Sequence, residues 1–228
     1  LTLGPGKLCP THRNILRRKS HRILRKKYNI GKIEWADKIL STLKNEIRTA
    51  LRKQQGGRCY FCRRTVLVER KNAYESIEHY LDKSKPHYRK WAFSPVNLTI
   101  SCHACNFQKS TADLGDNAIR ASVALRSNAG SFKWLHPYFD DYHENIEVLP
   151  GWVYKAIGGA PKEAAAKALI VDCQLDKVET IEAHRHAASN YRVRLIELAT
   201  RAINAGNKER AKKLLSYAKQ IEEDSWKV

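Results

Sequence analysis

Apolar residues in the first quarter of the chain recur at helical spacing. Ile15, Leu16, Ile23 and Leu24 fall in step through residues 13–28, among Arg17, Arg18, Lys19, Arg22, Arg25, Lys26 and Lys27. That stretch reads either as a basic helix or as a solvated arm. From 33 to 55, Trp35, Ile39, Leu40, Leu43, Ile47 and Leu51 recur at i, i+4 and i+7 steps, which predicts an amphipathic helix stopped by Gly56 and Gly57. Residues 58–68 hold a tight turn around two cysteines, then the β-prone run Thr65, Val66, Leu67, Val68. Alternation over 76–80 predicts a short strand reaching His79. A polar loop follows over 82–95, residues 96–101 lead into a second cysteine pair, and 106–112 continue as a helix. Residues 131–151 are rich in aromatics and read as a packed irregular segment or short strands. Helices are expected over 160–175, 177–205 and 208–222, with Gly206 and Asn207 between the last two. The pattern implies an α+β, mostly helical chain: a basic N-terminal arm (1–32), a central core (33–112) and a mainly helical C-terminal region (113–228). No internal repeat or low-complexity segment interrupts it.

Charge changes the picture. Among 228 residues, 42 Lys and Arg face 23 Asp and Glu, a formal net charge of +19. Such an imbalance repels itself unless a polyanion is near, so nucleic acid is the first expected partner. An acidic protein or a membrane surface comes second, and a merely solubilised basic protein is the plain alternative. At 43% hydrophobic residues the chain can bury a core. No run of 18 apolar residues exists, and the first 30 residues are basic and polar, unlike a signal peptide. The expected site of action is cytoplasmic, with no membrane. The chain starts at Leu1 and contains no Met, so a natural start upstream is expected.

Six cysteines without a secretion signal argue for metal rather than disulfides. Cys59-x-x-Cys62 and Cys102-x-x-Cys105 are two knuckles, each able to offer two thiolates to one tetrahedral Zn²⁺. Four soft ligands close the shell, so such a zinc is structural and its binding energy becomes folding energy. Cys9 and Cys173 read as free thiols, the second one buried.

The residues bracketed by the knuckles suggest chemistry. Glu78-His79 ends the predicted strand, Asn97 follows the loop, and Asn106 comes directly after the fourth cysteine with Lys109 one turn on. Zinc would bring the strand beside the helix. Phosphodiester hydrolysis needs a base for the attacking water, a cation for the charge on phosphorus and a grip on the phosphate. His79 suits the first. The hard oxygens of Glu78 and Asn106 suit Mg²⁺ or Mn²⁺ for the second. Arg63, Arg64, Lys83, Lys85, Arg89, Lys90 and Lys109 would supply the third, with Arg17, Arg18 and Arg22 of the basic stretch on the phosphate backbone. Taken singly, each of these residues has a plain structural reading; their order between the knuckles is what stands out.

That order resembles the HNH nuclease family in its four-cysteine, ββα-metal form: C-x-x-C, an acidic residue before His, Asn-Leu, then C-x-x-C-N with Lys three residues on. The likeness covers about residues 50–112. It implies His79 as general base, Glu78 and Asn106 as ligands of the catalytic divalent metal, and Asn97 as the residue that holds the His79 loop. A looser likeness, through Trp91, His136-Pro137, His143, Leu175 and Arg185, is to the HNH effectors of Septu-type and retron-linked anti-phage defence systems, which act beside an ATPase partner. Tyr80-Leu81-Asp82 and the long basic N-terminus depart from that group. The resemblance implies an endonuclease acting on DNA rather than RNA, with an ATPase or retron-type partner. A non-catalytic zinc-stapled nucleic-acid-binding or assembly module is the rival; it has no use for Glu78, His79 and Asn106 together.

Two further features carry alternatives. His136 and His143 flank Asp140 and Asp141, as a second metal site or as an aromatic-packed loop. The charged C-terminal helices present a solvated face or a partner-docking face. His184 and His186, two apart on a helix, cannot share one side of it.

Overall fold

A computed structural model describes residues 3–69 and 72–225 of the chain, less the side chains of 68, 69, 72, 73, 181–186, 188, 224 and 225. The chain is α+β and mostly helical. It divides into two compact units, 1–176 and 177–228. The division differs from boundaries at 32/33 and 112/113, because the first residues and the residues after 112 pack on the same cysteine knuckle.

The basic stretch is helical. It forms α1 (Arg13–Arg17) and α2 (Lys19–Asn29). Leu16 and Tyr28 are nearly sealed from solvent and join a core with Leu40, Leu43, Ile47 and Leu51. The amphipathic helix α3 is shorter than its sequence pattern, Ser41–Gln54, led by a single 3-10 turn at Lys38–Leu40. Residues 33–37 leave the helix because the Glu34 amide is held by Asp37 Oδ2 (2.8 Å) and Trp35 packs sideways among Tyr28, Phe93 and His79. Gly56 and Gly57, both at positive φ, turn the chain out of α3, a conformation that costs glycine little.

The run at 65–68 is not one strand. Thr65 bridges to Arg58, Leu67 is 70% exposed, and regular pairing begins only with β1 (Val68–Glu69) against β2 (Asn72–Ala73). Then comes the central hairpin: β3 (Glu75–His79) antiparallel to β4 (Leu98–Cys102), in a register that sets His79 opposite Leu98 and Glu75 opposite Cys102. Helix α4 (His103–Lys109) follows without a gap. Gln55 ties α3 to the hairpin: its amide oxygen accepts from the Thr99 hydroxyl and the Ile100 amide, both at 2.8 Å.

The remainder of the first unit is α5 (Asn117–Ala121), a hairpin of β5 (Ile146–Leu149) and β6 (Val153–Ala156), and α6 (Glu163–Asp172). Residues 131–145 are irregular, as expected. The second unit is an antiparallel pair, α7 (Val178–Asn204) and α8 (Lys208–Ser225), turning at Gly206. His184 and His186 fall on α7, where their side chains lie outside the described ones. Among the described residues no helix is long and apolar enough to cross a membrane.

Candidate functional site

The four cysteines converge. The Sγ atoms of Cys59, Cys62, Cys102 and Cys105 all lie within 4.8 Å of one another, and Cys62 and Cys102 are 3.8 Å apart. A tetrahedral S₄ zinc with bonds of about 2.3 Å spaces its sulfurs about 3.8 Å apart, so the set fits zinc. Cys102 ends β4 and also caps α4, its Sγ accepting from the Cys105 amide at 3.5 Å. The first knuckle is held from outside by two tyrosines: Tyr142 donates to the Phe61 carbonyl (2.9 Å) and Tyr154 to that of Cys62 (2.5 Å).

Arg63 belongs to this packing and corrects its expected place on a phosphate. It is 1% exposed, with its guanidinium 4.4 Å from the Tyr60 ring centroid and 3.7 Å from that of Tyr142. One nitrogen donates to the Pro5 carbonyl at 2.9 Å. A cation stacked between two rings and closed in by the N-terminal segment cannot reach a ligand. Arg64 is half-buried, near Trp152.

Beside the knuckles, β3 lines a cleft of about 330 Å³. Strand alternation splits its side chains between two neighbours. Ser76 and Glu78 face α4: Glu78 Oε1 lies 2.7 Å from Lys109 Nζ, and Asn106 Nδ2 donates to Ser76 Oγ at 3.4 Å. Asn106 and Lys109 reach the strand together because residues three apart share one helix face. Glu75, Ile77 and His79 face α3 and its approach: Glu75 is held by Arg52 and Arg48, Ile77 enters the core, and His79 meets Trp35.

His79 is 3% exposed. Its Nε2 is 3.1 Å from the Ala92 carbonyl, which accepts only, so Nε2 carries the hydrogen and Nδ1 the lone pair. Trp35 meets the imidazole edge-on, centroids 4.4 Å apart. Burial, with the charges of Lys83 and Lys109, lowers the pKa well below that of ordinary histidine, so the ring is neutral near pH 7. Burial acts oppositely on Glu78, raising its pKa against the pull of Lys109.

Asn97 is fully buried and holds the chain after His79. Its Oδ1 accepts from the Leu81 amide (2.7 Å), its Nδ2 donates to the carbonyls of Leu81 (3.0 Å) and Trp91 (3.2 Å), and its own carbonyl accepts from Tyr80 N at 2.9 Å. The loop between β3 and β4 is thereby pinned at both ends.

Glu78, Asn106 and Asp82 all line the cleft and offer hard oxygens to a divalent cation. They share the cleft rather than form a cage. Among the described residues the cysteine set is the one group of three or more His, Cys, Asp and Glu that converges. Residues 136–143 form the aromatic-packed loop: His136 stacks on Phe139 at 3.9 Å, while His143 Nε2 meets the Gly4 carbonyl.

Of the expected phosphate contacts, Lys83 lines the cleft. Lys109 is 1% exposed and serves as the counter-ion of Glu78, a second correction. Arg89 is paired with Glu34, and Lys90 donates to the Arg120 and Ser122 carbonyls. Lys85 is half-buried away from the cleft. Arg17 and Arg22 are exposed on α1 and α2, and Arg18 is exposed but bonded to Glu46. The sequence reading missed Trp35 as a wall of the cleft, and with it Lys44, Arg48 and Asp82. The early proline-free loop before α3 carries no motif that would have marked them.

Compared with protein-family models, with curated proteins and with solved structures, the chain matches none.

Proposed function

We propose that the chain is a metal-dependent HNH-type endonuclease that hydrolyses DNA phosphodiester bonds. The observation that carries this reading is the setting of His79: a neutral imidazole, its Nε2–H fixed on Ala92, in the wall of a cleft shared with Glu78 and Asn106. With Nε2 occupied, Nδ1 is the nitrogen able to take a proton from a water attacking phosphorus. The ββα order of β3, β4 and α4 around the cysteine set, with Asn97 bracing the turn behind the base, supports the same reading.

Glu78 and Asn106 would hold Mg²⁺ or Mn²⁺, which when bound draws charge from the phosphoryl oxygens. Lys109 keeps the Glu78 carboxylate oriented, and Ser76 keeps the Asn106 amide turned so that its carbonyl oxygen is left for a ligand. Exposed Arg17 and Arg22 add sequence-independent attraction for the backbone. The wider role, an effector of bacterial anti-phage defence working in the cytoplasm with an ATPase or retron-type partner, rests on the sequence resemblance.

The test is supercoiled plasmid with Mg²⁺ or Mn²⁺, using the chain and a His79→Ala variant matched for zinc. Nicking or linearisation by the first and not the second is expected. A folded His79→Ala protein that cuts equally fast would overturn the reading. One observation favours the rival, a zinc-stapled binding module without turnover: Glu78 already has a cation, Lys109. On that reading plasmid is bound and never cut under any divalent metal.

A further inference from the structure

The carboxylates of the cleft are already engaged. Glu75 is held by Arg52 and Arg48, Glu78 by Lys109, and Asp82 by the amide and hydroxyl of Ser84. Two lysines that line the same cleft are left over. Among the described residues neither Lys44 nor Lys83 has a carboxylate within ion-pair distance. They come from different elements, Lys44 from α3 and Lys83 from the loop after β3, yet both ammonium groups lie over one ring. Lys44 Nζ is 5.9 Å and Lys83 Nζ 5.8 Å from the centroid of Trp35. Lys44 Nζ also donates to the Trp35 carbonyl at 2.9 Å, which fixes it at the cleft.

Trp35 is itself unusual. It is only half-buried, in a linker whose neighbours Ile30, Gly31, Lys32, Glu34, Ala36 and Asp37 are all exposed. The ring is nevertheless braced by Tyr28, Phe93 and His79 at 6.5, 5.1 and 4.4 Å between centroids. A braced indole lining the cleft, with two ammonium groups over its ring and the imidazole against it, combines the two elements that hold unstacked nucleotides. These are an aromatic platform and a local positive charge for the phosphate.

We propose that Trp35, Lys44 and Lys83 form a nucleotide-holding subsite. The two ammonium groups take a backbone phosphate, and the adjoining base rests on the indole next to His79. The substrate class is a nucleic-acid strand with an unstacked base at the cleft, a single strand or an opened end, rather than an intact duplex whose base faces are covered. This inference rests on the cleft being the phosphodiester-cutting site, and deepens that reading by naming what enters it. All three are positioning residues.

Binding is the readout, measured by fluorescence anisotropy on the full zinc-loaded chain without added Mg²⁺. The probes are a short labelled single-stranded oligodeoxynucleotide, the same strand with one abasic site moved along it, and its duplex. Losing one base–aromatic stack costs about tenfold in affinity. The unaltered chain is therefore expected to lose about that much at one abasic position. Trp35→Ala is expected to lose the same on the intact strand and to be indifferent to the abasic site, with Trp35→Phe recovering most of the affinity. Replacing both Lys44 and Lys83 by Gln lowers the salt slope on single strands by about 0.7, the value for one phosphate contact. An unaltered chain that ignores abasic sites at every position overturns the subsite, and that arm holds even if Trp35→Ala does not fold. Cleavage of plasmid with no abasic effect sinks this inference alone. Binding as described with no cleavage under any divalent metal sinks the nuclease reading alone.

Discussion

Lys109 Nζ lies 2.7 Å from Glu78 Oε1, and both side chains are withdrawn from solvent. A pair this buried is held together less by the worth of the bond than by the penalty for leaving one charge alone. Lys109→Met strands a carboxylate beside α4 and is expected to lose on the order of 3 kcal/mol in urea unfolding. Glu78→Gln with Lys109→Met is expected to recover most of that stability and, on the nuclease proposal, none of the cleavage. Two single variants with small, additive effects would mean that the pair is not a unit.

The cysteine set makes a prediction that needs no activity. Bound zinc of about one ion per chain is expected, measured by elemental analysis. Each of Cys59→Ser, Cys62→Ser, Cys102→Ser and Cys105→Ser should lower both the zinc content and the unfolding temperature. Cys9→Ser, at an exposed position, should change neither. Full zinc in any of the four variants would remove that cysteine from the shell.

Asn97 makes three side-chain hydrogen bonds at full burial. Asn97→Ala leaves Leu81 N and Leu81 O without that partner, while Trp91 O keeps its bond from Ser94 N, and a loss of roughly 2–6 kcal/mol is expected at about 1–3 kcal/mol for each group left unpaired. Asn97→Asp keeps an acceptor for Leu81 N but presents an oxygen to two carbonyls, and should be no better. If the Asn97→Ala chain keeps both its unfolding midpoint and its rate, Asn97 does not hold the loop.

How much of this was legible follows from distance along the chain. The cysteine knuckles, the Glu78-His79 strand and the α6, α7 and α8 helices are written in spacing of a few residues, and the structure has them where the spacing set them. Arg63 and Lys109 were misplaced because charge alone says nothing of burial. The ring that covers Arg63 is Tyr142, far along the chain, and Lys109 meets Glu78 only once β3 lies on α4. Trp35 was legible as apolar but not as a cleft wall, since its i, i+4 step to Ile39 mimics a helix that in fact starts at Ser41.

Acid should destabilise the fold through its buried histidines. His12 is fully buried and neither ring nitrogen is bonded among the described residues; burial, then Arg13, pulls its pKa to about 4 from 6.5. Its neutral form is favoured only in the folded chain. Stability is therefore fully present above pH 6.5 and drains away as pH falls towards 4, by about 3 kcal/mol at 1.36 kcal/mol per unit. His136, also lowered by burial, acts in the same direction. His12→Phe should be more stable than the unaltered chain at pH 5 and should flatten the profile of unfolding midpoint against pH. An equally steep profile in that variant would place the acid sensitivity elsewhere.

The segment 4–8 has a consequence for the order in which the first unit can close. Gly4 accepts from His143, 139 positions away, Leu8 donates to Pro137, and Pro5 closes over Arg63. Residues 4–8 thus have no place to settle until residues 137–143 are in position, and closing so long a loop is slow. Until then Arg63 lacks both the Tyr142 ring and the Pro5 carbonyl. The first cysteine knuckle becomes a finished object only when these segments, far apart along the chain, meet across it.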